Sequence, residues 1–130
     1  MQNDYQDGLF LDFTNYYFVF LRRNSDFETR SEEEMKKLSY GHFKFQYDQF
    51  KENNMVVSGP LDGAGGLYLF KENNQTKEDI KVLLQQDPFV EIELFIPEIH
   101  KWAVPSFFNI NYSNSSDLDS FYDEILKMNR

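Results

Sequence analysis

The middle of the chain has two short apolar stretches joined by a glycine-rich connection, and residues 55–70 read MVVSGPLDGAGGLYLF. Residues 55–57 and 67–70 have the composition of short strands. Pro60 lacks the backbone donor of a strand ladder, so the first strand is expected to stop at Gly59-Pro60. The three glycines of the connection suit the turn of a hairpin. This segment therefore predicts two consecutive strands paired with each other.

A helix is predicted on each side of this hairpin. Before it, Ser31 stands three residues ahead of Glu34, which is the spacing of a capping box, and the helix is expected to continue to about Asn53. After it, Thr76 is placed to cap a second helix over residues 77–86, which ends before a proline.

Strands are also predicted outside the two helices. Residues 16–21 read YYFVFL, an aromatic and β-branched run followed by a polar loop. From Phe89 to Ile96 apolar residues occupy every second position, which predicts a half-buried fourth strand that Pro97 interrupts or bulges. The order β, α, β, β, α, β is that of a ferredoxin-like α+β domain, with four antiparallel strands and two helices on one face.

These elements divide the chain into three parts. Residues 15–105 are expected to form the ferredoxin-like domain, residues 1–14 an N-terminal extension, and residues 106–130 a polar linker with an appended amphipathic helix. The apolar residues of that C-terminal helix recur at helical spacing. We expect it to dock on its own domain or on a dimer partner, and recruitment of a different protein is the alternative.

The long first helix carries two apolar rows. At about 100° per residue, one row contains Met35, Leu38, His42 and Phe45, and the other contains Tyr40, Phe43, Tyr47 and Phe50. A helix on an open sheet needs only one apolar stripe, so the second row predicts cover from a partner subunit or from the C-terminal segment.

Composition narrows the possible partners. The 130 residues carry a formal net charge of -9, which argues against nucleic-acid binding because that affinity comes largely from Lys and Arg. The chain has no Cys, which suits a reducing compartment, and its first residues lack a basic region followed by a long apolar run. We therefore expect a cytoplasmic protein without a membrane segment.

The residue types also limit the chemistry. Two His and no Cys cannot assemble a zinc site of the usual kinds, so no metal is expected. The glycines before Leu67 lack the Lys and Ser/Thr of a phosphate loop, so no nucleotide cofactor is expected either. Ser58 has no Gly-x-Ser-x-Gly elbow around it, which argues against a triad nucleophile.

His42 differs from its neighbours because it interrupts an apolar helix row. Burying a polar ring costs free energy unless it is hydrogen-bonded, so a partner is expected. Taken alone, such a His is more often a satisfied core residue than a catalyst. Asp87, which precedes Pro88, is likewise more often a turn or helix-end residue.

Three short motifs occur in order along the chain: Gly41-His42, Ser58-Gly59-Pro60 and Asp87-Pro88-Phe89. With the strand between the second and third motifs, they resemble the YCII-related family of small dimeric α+β barrel proteins. The resemblance covers about residues 15–105. It implies a homodimer whose sheets pack face to face, with a small-molecule cleft in each subunit.

The resemblance also implies roles for individual residues. His42 and Asp87 are the implied catalytic pair, with His42 as general acid or base and Asp87 as the group that orients it. Ser58, Gly59 and Pro60 are implied to bind the ligand and shape the cleft wall. Enzymatic members are taken to transfer protons on small ring-containing or lactone-like substrates, including removal of halide.

Three functional hypotheses remain open. The first is a lyase or isomerase that acts on a small cyclic or aromatic molecule without metal or nucleotide. The second is a non-catalytic ligand-binding or accessory domain that keeps the cleft. The third is a structural dimer whose C-terminal helix recruits a protein.

Overall fold

The computed structural model describes residues 12–108 and 115–129, with only the backbone of residues 115–118. The elements in chain order are β1 Phe13–Arg23, α1 Glu32–Lys51, β2 Met55–Leu61, β3 Gly65–Lys71, α2 Lys77–Leu84, α3 Pro88–Glu91, β4 Phe95–Pro105 and α4 Ser115–Met128. Residues 1–11 of the predicted N-terminal extension and residues 109–114 of the predicted linker lie outside the described residues.

The four strands form one antiparallel sheet in the order β2-β3-β1-β4. This is the predicted ferredoxin-like α+β fold, and the appended C-terminal helix is also present. Within the part of the chain that the structure describes, no helix is long and apolar enough to cross a membrane.

β1 lies inside the sheet and has apolar side chains on both faces. Tyr17, Val19 and Leu21 belong to the main core, which also contains buried side chains of α1, α2 and α3. Tyr16 and Phe18 belong to a second cluster with apolar residues of β2, β3 and β4. The face with the main core is called the inner face here, and the opposite one the outer face. The unbroken apolar run of β1 follows from its position between two apolar clusters.

α1 begins where its capping residue predicted. Ser31 is the N-cap, and its hydroxyl accepts a hydrogen bond from the backbone N–H of Glu34 at 3.2 Å. The helix ends at Lys51, two residues earlier than predicted. In α2 the reciprocal capping box is complete, because Thr76 and Asp79 each accept from the other's backbone N–H.

Two members of the second apolar row of α1, Tyr47 and Phe50, pack against α4. The Tyr47 ring lies 4.9 Å from the ring of Tyr122, and the Phe50 ring lies 6.1 Å from the ring of Phe121. Ile125 of α4 is fully buried. Of the two predicted covers for this row, the C-terminal segment is therefore the one in contact with Tyr47 and Phe50.

The predicted end of β2 was wrong. The strand does not stop at Gly59-Pro60 but continues to Leu61, with Pro60 paired opposite Gly66. β2 is an edge strand of the sheet, where one side of the backbone needs no partner and a proline is tolerated.

The predicted fourth strand was wrong at its start. Residues Pro88–Glu91 form the short helix α3, and β4 runs over Phe95–Pro105 with Pro97 inside it. Asp87 caps α3 and Pro88 occupies its first turn, a helix start that the alternation of apolar residues obscured. β4 is the other edge strand, so Pro97 does not interrupt it.

Candidate functional site

Asp87 owes its position to the local sequence Asp87-Pro88-Phe89. As the N-cap of α3, its carboxylate accepts a hydrogen bond from the backbone N–H of Phe89 at 3.0 Å. Pro88 in the first turn has a φ already suited to the helix. The Asp87 side chain is fully buried and points toward the middle of α1.

The structure brings His42 and Asp87 together. Nδ1 of His42 lies 2.9 Å from Oδ1 and 3.0 Å from Oδ2 of Asp87. His42 is 7% exposed and Asp87 is not exposed at all. His42 therefore has the hydrogen-bond partner that a buried polar ring needs. The Asp87 carboxylate is positioned to hold the ring in one orientation.

Tyr68 of β3 completes the contacts of this carboxylate. Its hydroxyl donates to Oδ2 of Asp87 at 2.6 Å and lies 3.2 Å from Nδ1 of His42. Burial, together with the negative charge of Asp87, raises the pKa of the Tyr68 phenol well above its ordinary value. Tyr68 therefore remains a donor, and the buried carboxylate receives hydrogen bonds from His42, Tyr68 and the Phe89 backbone.

The other ring nitrogen of His42 is also occupied. Nε2 lies 3.1 Å from Nε2 of Gln46, one turn further along α1. Oε1 of Gln46 accepts a hydrogen bond from the Ser58 hydroxyl of β2 at 2.7 Å. Ser58, predicted from the sequence as a ligand-binding residue, is thus linked to His42 through Gln46.

Aromatic rings hold the imidazole between them. The Phe89 ring stacks on His42 with centroids 4.3 Å apart, and the rings of Phe43 and Phe95 approach at steep angles at 5.0 and 5.8 Å. Aromatic rings prefer stacked or edge-to-face contacts of this kind. These three phenyl rings cover the sides of the imidazole. His42 consequently has little freedom to turn away from Asp87.

A small cavity of about 130 Å³ opens beside His42 on the inner face of the sheet. Its wall includes Gly59 and Pro60, two predicted site residues, and the remaining lining residues are Leu21, His42, Phe43, Gln46, Gly65, Gly66, Leu67, Tyr68 and Phe95. An apolar cavity of roughly 150 Å³ is able to hold benzene. The space next to His42 is therefore comparable to one six-membered ring.

Gly65 gives this cavity a wall of bare backbone. It has φ 126°, and a Cβ on it would lie 1.8 Å from the carbonyl oxygen of Leu21. Only glycine is compatible with both the conformation and the close strand approach.

Two larger spaces lie elsewhere. A cavity of about 380 Å³ borders the outer face and shares Gly59, Pro60, Leu67 and Tyr68 with the inner one. A groove of about 780 Å³ lies between α2 and β4, lined in part by Lys77 and His100, and none of the residues bonded to His42 borders it. Buried, hydrogen-bonded ionisable groups mark the small cavity beside His42 as the better candidate site.

Sequence reasoning missed Gln46 and Tyr68. Gln46 follows His42 by four residues, so the helical period places both on one face, and that spacing was a usable signal. Tyr68 resembles any aromatic residue of a buried strand, and nothing in its sequence surroundings distinguishes its hydroxyl. Across the side chains that the structure describes, those of residues 12–108 and 119–129, no group of three His, Asp or Glu is arranged to hold a metal ion.

The sequence matches no known family model and no curated protein. Among solved structures, the chain is similar to 5-chloro-2-hydroxyhydroquinone dehydrochlorinase from Burkholderia phenoliruptrix AC1100 in complex with 2,5-dihydroxybenzoquinone. The similarity has a TM-score of 0.53 and 15% sequence identity, and it covers 72% of this chain and 99% of that one. At this identity the similarity supports the α+β fold.

Proposed function

We propose that this chain is a YCII-related protein of the dimeric α+β barrel type, and that it acts as a lyase or isomerase on a small cyclic or aromatic molecule. The observation that carries the proposal is the buried His42–Asp87 pair, of which His42 borders a cavity of about 130 Å³. The similar solved structure is a dehydrochlorinase holding a small quinone, which agrees with a ligand of one ring.

His42 and Asp87 together provide the groups needed for proton transfer. Asp87 accepts the hydrogen bond of Nδ1–H, which leaves Nε2 as the nitrogen able to take a proton from a substrate. The imidazolium formed in that step is stabilised by the neighbouring carboxylate, and it returns the proton to a different atom of the substrate or to solvent. Gln46 must release Nε2 for this step, because it occupies that nitrogen in the ligand-free chain.

The proposed ligand site combines His42 and Asp87 with the β2 residues Ser58, Gly59 and Pro60. Gly59 and Pro60 border the cavity, and Ser58 reaches His42 through Gln46. No metal and no cofactor takes part in the proposed reaction.

Turnover of small ring compounds tests the proposal. Lactones and chlorinated or hydroxylated aromatics are incubated with the protein, and loss of substrate or release of halide is measured. The chain offers a matched control, since His100 on β4 is exposed and is the only other His. We expect His42→Gln to abolish turnover and His100→Gln to preserve it. Equal activity of both variants contradicts a catalytic role for His42.

A non-catalytic ligand-binding domain is the second candidate function. The observation that favours it is that both ring nitrogens of His42 already have protein partners, as in a satisfied core residue. This candidate predicts that calorimetry detects binding of a ring compound while no product forms. Its affinity should fall in Phe43→Ala, which removes one aromatic ring from the cavity wall and leaves His42 in place.

We also propose that the chain forms a homodimer through the outer face of the sheet. Support comes from the apolar residues exposed there, which include Val57 at 51% and Trp102 at 47% beside the cavity of about 380 Å³. Exposed apolar patches of this kind mark interaction surfaces. No nucleic-acid partner is proposed, given the net charge of -9.

The remaining proposals concern organisation and location. We retain residues 15–105 as the ferredoxin-like domain, residues 1–14 as an extension whose last two residues already belong to β1, and residues 106–130 as linker and helix. A cytoplasmic location is proposed from the lack of Cys. Recruitment of a protein by the C-terminal helix has less support, since its buried Ile125 and its Phe121 and Tyr122 rings are turned to α1 and the core.

A further inference from the structure

His42 begins a chain of hydrogen bonds that reaches the edge strand β2. Nδ1 contacts Asp87, Nε2 contacts the Gln46 amide at 3.1 Å, and Gln46 Oε1 accepts from the Ser58 hydroxyl at 2.7 Å. Gln46 is only 6% exposed, so its amide depends on these partners. Among the side chains of residues 12–108 and 119–129, no buried nitrogen or oxygen lacks a hydrogen-bond partner.

The direction of each hydrogen bond between His42 and Ser58 follows from Asp87. An ionised carboxylate only accepts, and both of its oxygens lie within 3.0 Å of Nδ1, so Nδ1 carries a proton. In a neutral imidazole, Nε2 then has only a lone pair, and Gln46 must present its NH₂ group to it. This orientation turns Oε1 of Gln46 toward Ser58, whose hydroxyl must donate.

The same three side chains also satisfy the charged ring, with every bond beyond Nδ1 reversed. An imidazolium carries a proton on Nε2 and needs an acceptor there. Gln46 supplies one if its amide turns over, and its NH₂ group then donates to the Ser58 oxygen. Both arrangements are complete because an amide and a hydroxyl each donate and accept.

We propose that Asp87 holds neutral His42 in its Nδ1–H form with Nε2 as the base, that Gln46 and Ser58 are positioning residues that satisfy Nε2 in turn, and that both side chains reverse their hydrogen bonds when the ring gains a proton. The use of this arrangement in proton transfer rests on the proposed function. The arrangement itself is a property of the ligand-free chain.

Few other groups lie close enough to His42 to change these hydrogen bonds of its ring nitrogens. The titratable groups that face His42 are Asp87, between α2 and α3, and Tyr68 on β3. The other close neighbours of the ring are the phenyl groups of Phe43, Phe89 and Phe95. Among the described residues, Gln46 is therefore the polar side chain in contact with Nε2.

The first test is the ¹⁵N NMR spectrum of the imidazole in the wild-type chain across a pH titration. Nitrogen shifts distinguish the protonated from the bare ring nitrogen. In the neutral ring we expect the proton on Nδ1 and a bare, hydrogen-bonded Nε2. A neutral ring protonated on Nε2 overturns the proposal, and this measurement needs no substitution.

Two glutamate substitutions on α1 provide the second test. A Gln46→Glu carboxylate only accepts, so it favours a proton on Nε2, and we expect His42 to bind its proton about tenfold or more tightly. Gln49→Glu is the matched control, because Gln49 is equally buried on α1 but bonds to Asn54. Equal His42 titrations in the two variants overturn the proposal.

Ser58→Ala tests the hydrogen bond between the Ser58 hydroxyl and Gln46. Without the hydroxyl, Gln46 loses its Ser58 partner in both arrangements, so we expect the side-chain NH₂ resonances of Gln46 to shift or broaden relative to wild type at every pH of the titration. Unchanged Gln46 side-chain resonances contradict a role for Ser58. These spectra are recorded without substrate, so a failure to find turnover does not alter their outcome.

Discussion

The Tyr68 hydroxyl donates a hydrogen bond of 2.6 Å to a fully buried Asp87 carboxylate. Tyr68 comes from β3 and Asp87 from the start of α3, so this bond joins the sheet to the helical layer directly beneath His42. The pKa of the Tyr68 phenol depends in part on the negative charge of Asp87. Experiments that vary pH can therefore test this bond.

Tyr68 should make the folded chain sensitive to alkaline pH. Because burial raises the Tyr68 pKa in the folded state, the folded chain keeps the phenol proton that the unfolded chain releases above its ordinary pKa of 10.0. This contribution to stability is complete below pH 10 and is lost above it, at about 1.4 kcal/mol per pH unit.

Tyr68→Phe isolates that contribution, since the chain has eight Tyr and only one is changed. At neutral pH the variant should lose about 1–3 kcal/mol of unfolding free energy through the missing hydrogen bond to Asp87. Urea unfolding should show the gap between wild type and variant narrowing above about pH 10. A gap that stays constant up to about pH 11 contradicts the prediction.

Asp87→Asn should weaken proton binding by His42. The carboxylate beside Nδ1 favours the charged ring, and a neutral amide does not, so we expect proton affinity to fall about tenfold or more in an NMR titration. Asp79→Asn removes the same charge from the exposed cap of α2 and serves as the control. If His42 titrates alike in wild type and Asp87→Asn, the two residues are uncoupled and the catalytic pair fails.

Gly41→Ala should destabilise the chain although alanine favours helices. A Cβ on Gly41 would lie 2.6 Å from Cγ of Pro88, whose rigid ring cannot move aside alone. Forcing α1 away from α3 costs about 1–3 kcal/mol, partly offset by a helix-propensity gain of about 1 kcal/mol. The same displacement lengthens the contact between His42 and Asp87.

Gly59→Ala is the control for this substitution, because a Cβ there has nothing within 4 Å. Its unfolding free energy should stay within about 0.5 kcal/mol of wild type. Chemical denaturation measures both variants. A Gly41→Ala chain that is more stable than wild type shows that the Pro88 contact does not limit the approach of the two helices.

Val57→Glu should dissociate the proposed homodimer. Val57 is 51% exposed beside Trp102 on the outer face, and a two-fold interface would bring two such charges close together. Val82 is 64% exposed on α2, away from that cavity, so Val82→Glu should leave the assembly unchanged. Sedimentation velocity distinguishes the states, and a monomeric wild-type chain contradicts the proposal outright.

Much of the fold could be predicted because its signals are local. Ser31 and Thr76 mark helix starts through bonds to residues three positions away, and the run over residues 16–21 gave β1. The error in the fourth strand arose from two local signals in conflict. Asp87-Pro88 favours the start of a helix, whereas the alternation of apolar residues from Val90 onward favours a strand. The segment forms the helix α3, in which Phe89 and Val90 are buried.

The candidate site was predictable only in part. His42 was singled out because a polar ring in an apolar row needs a partner, and Asp87 through the resemblance of its motif. Gln46 acts through its amide and Tyr68 through its hydroxyl. Each has a partner on another element, and residue type alone does not reveal such partners. The bond between Gln46 and His42 lies within α1, where the four-residue spacing was a usable signal.

By itself, the sequence determined the order of the four strands with α1, α2 and α4, the two apolar rows of α1 and the presence of one buried His, since these follow from periodicity and capping. Tertiary structure alone decided that His42 meets a carboxylate 45 residues away on one nitrogen and Gln46 on the other. The physical reason is that the packing of α1 against α3 and the sheet sets these distances, and a shift of about 1 Å would break hydrogen bonds of this length.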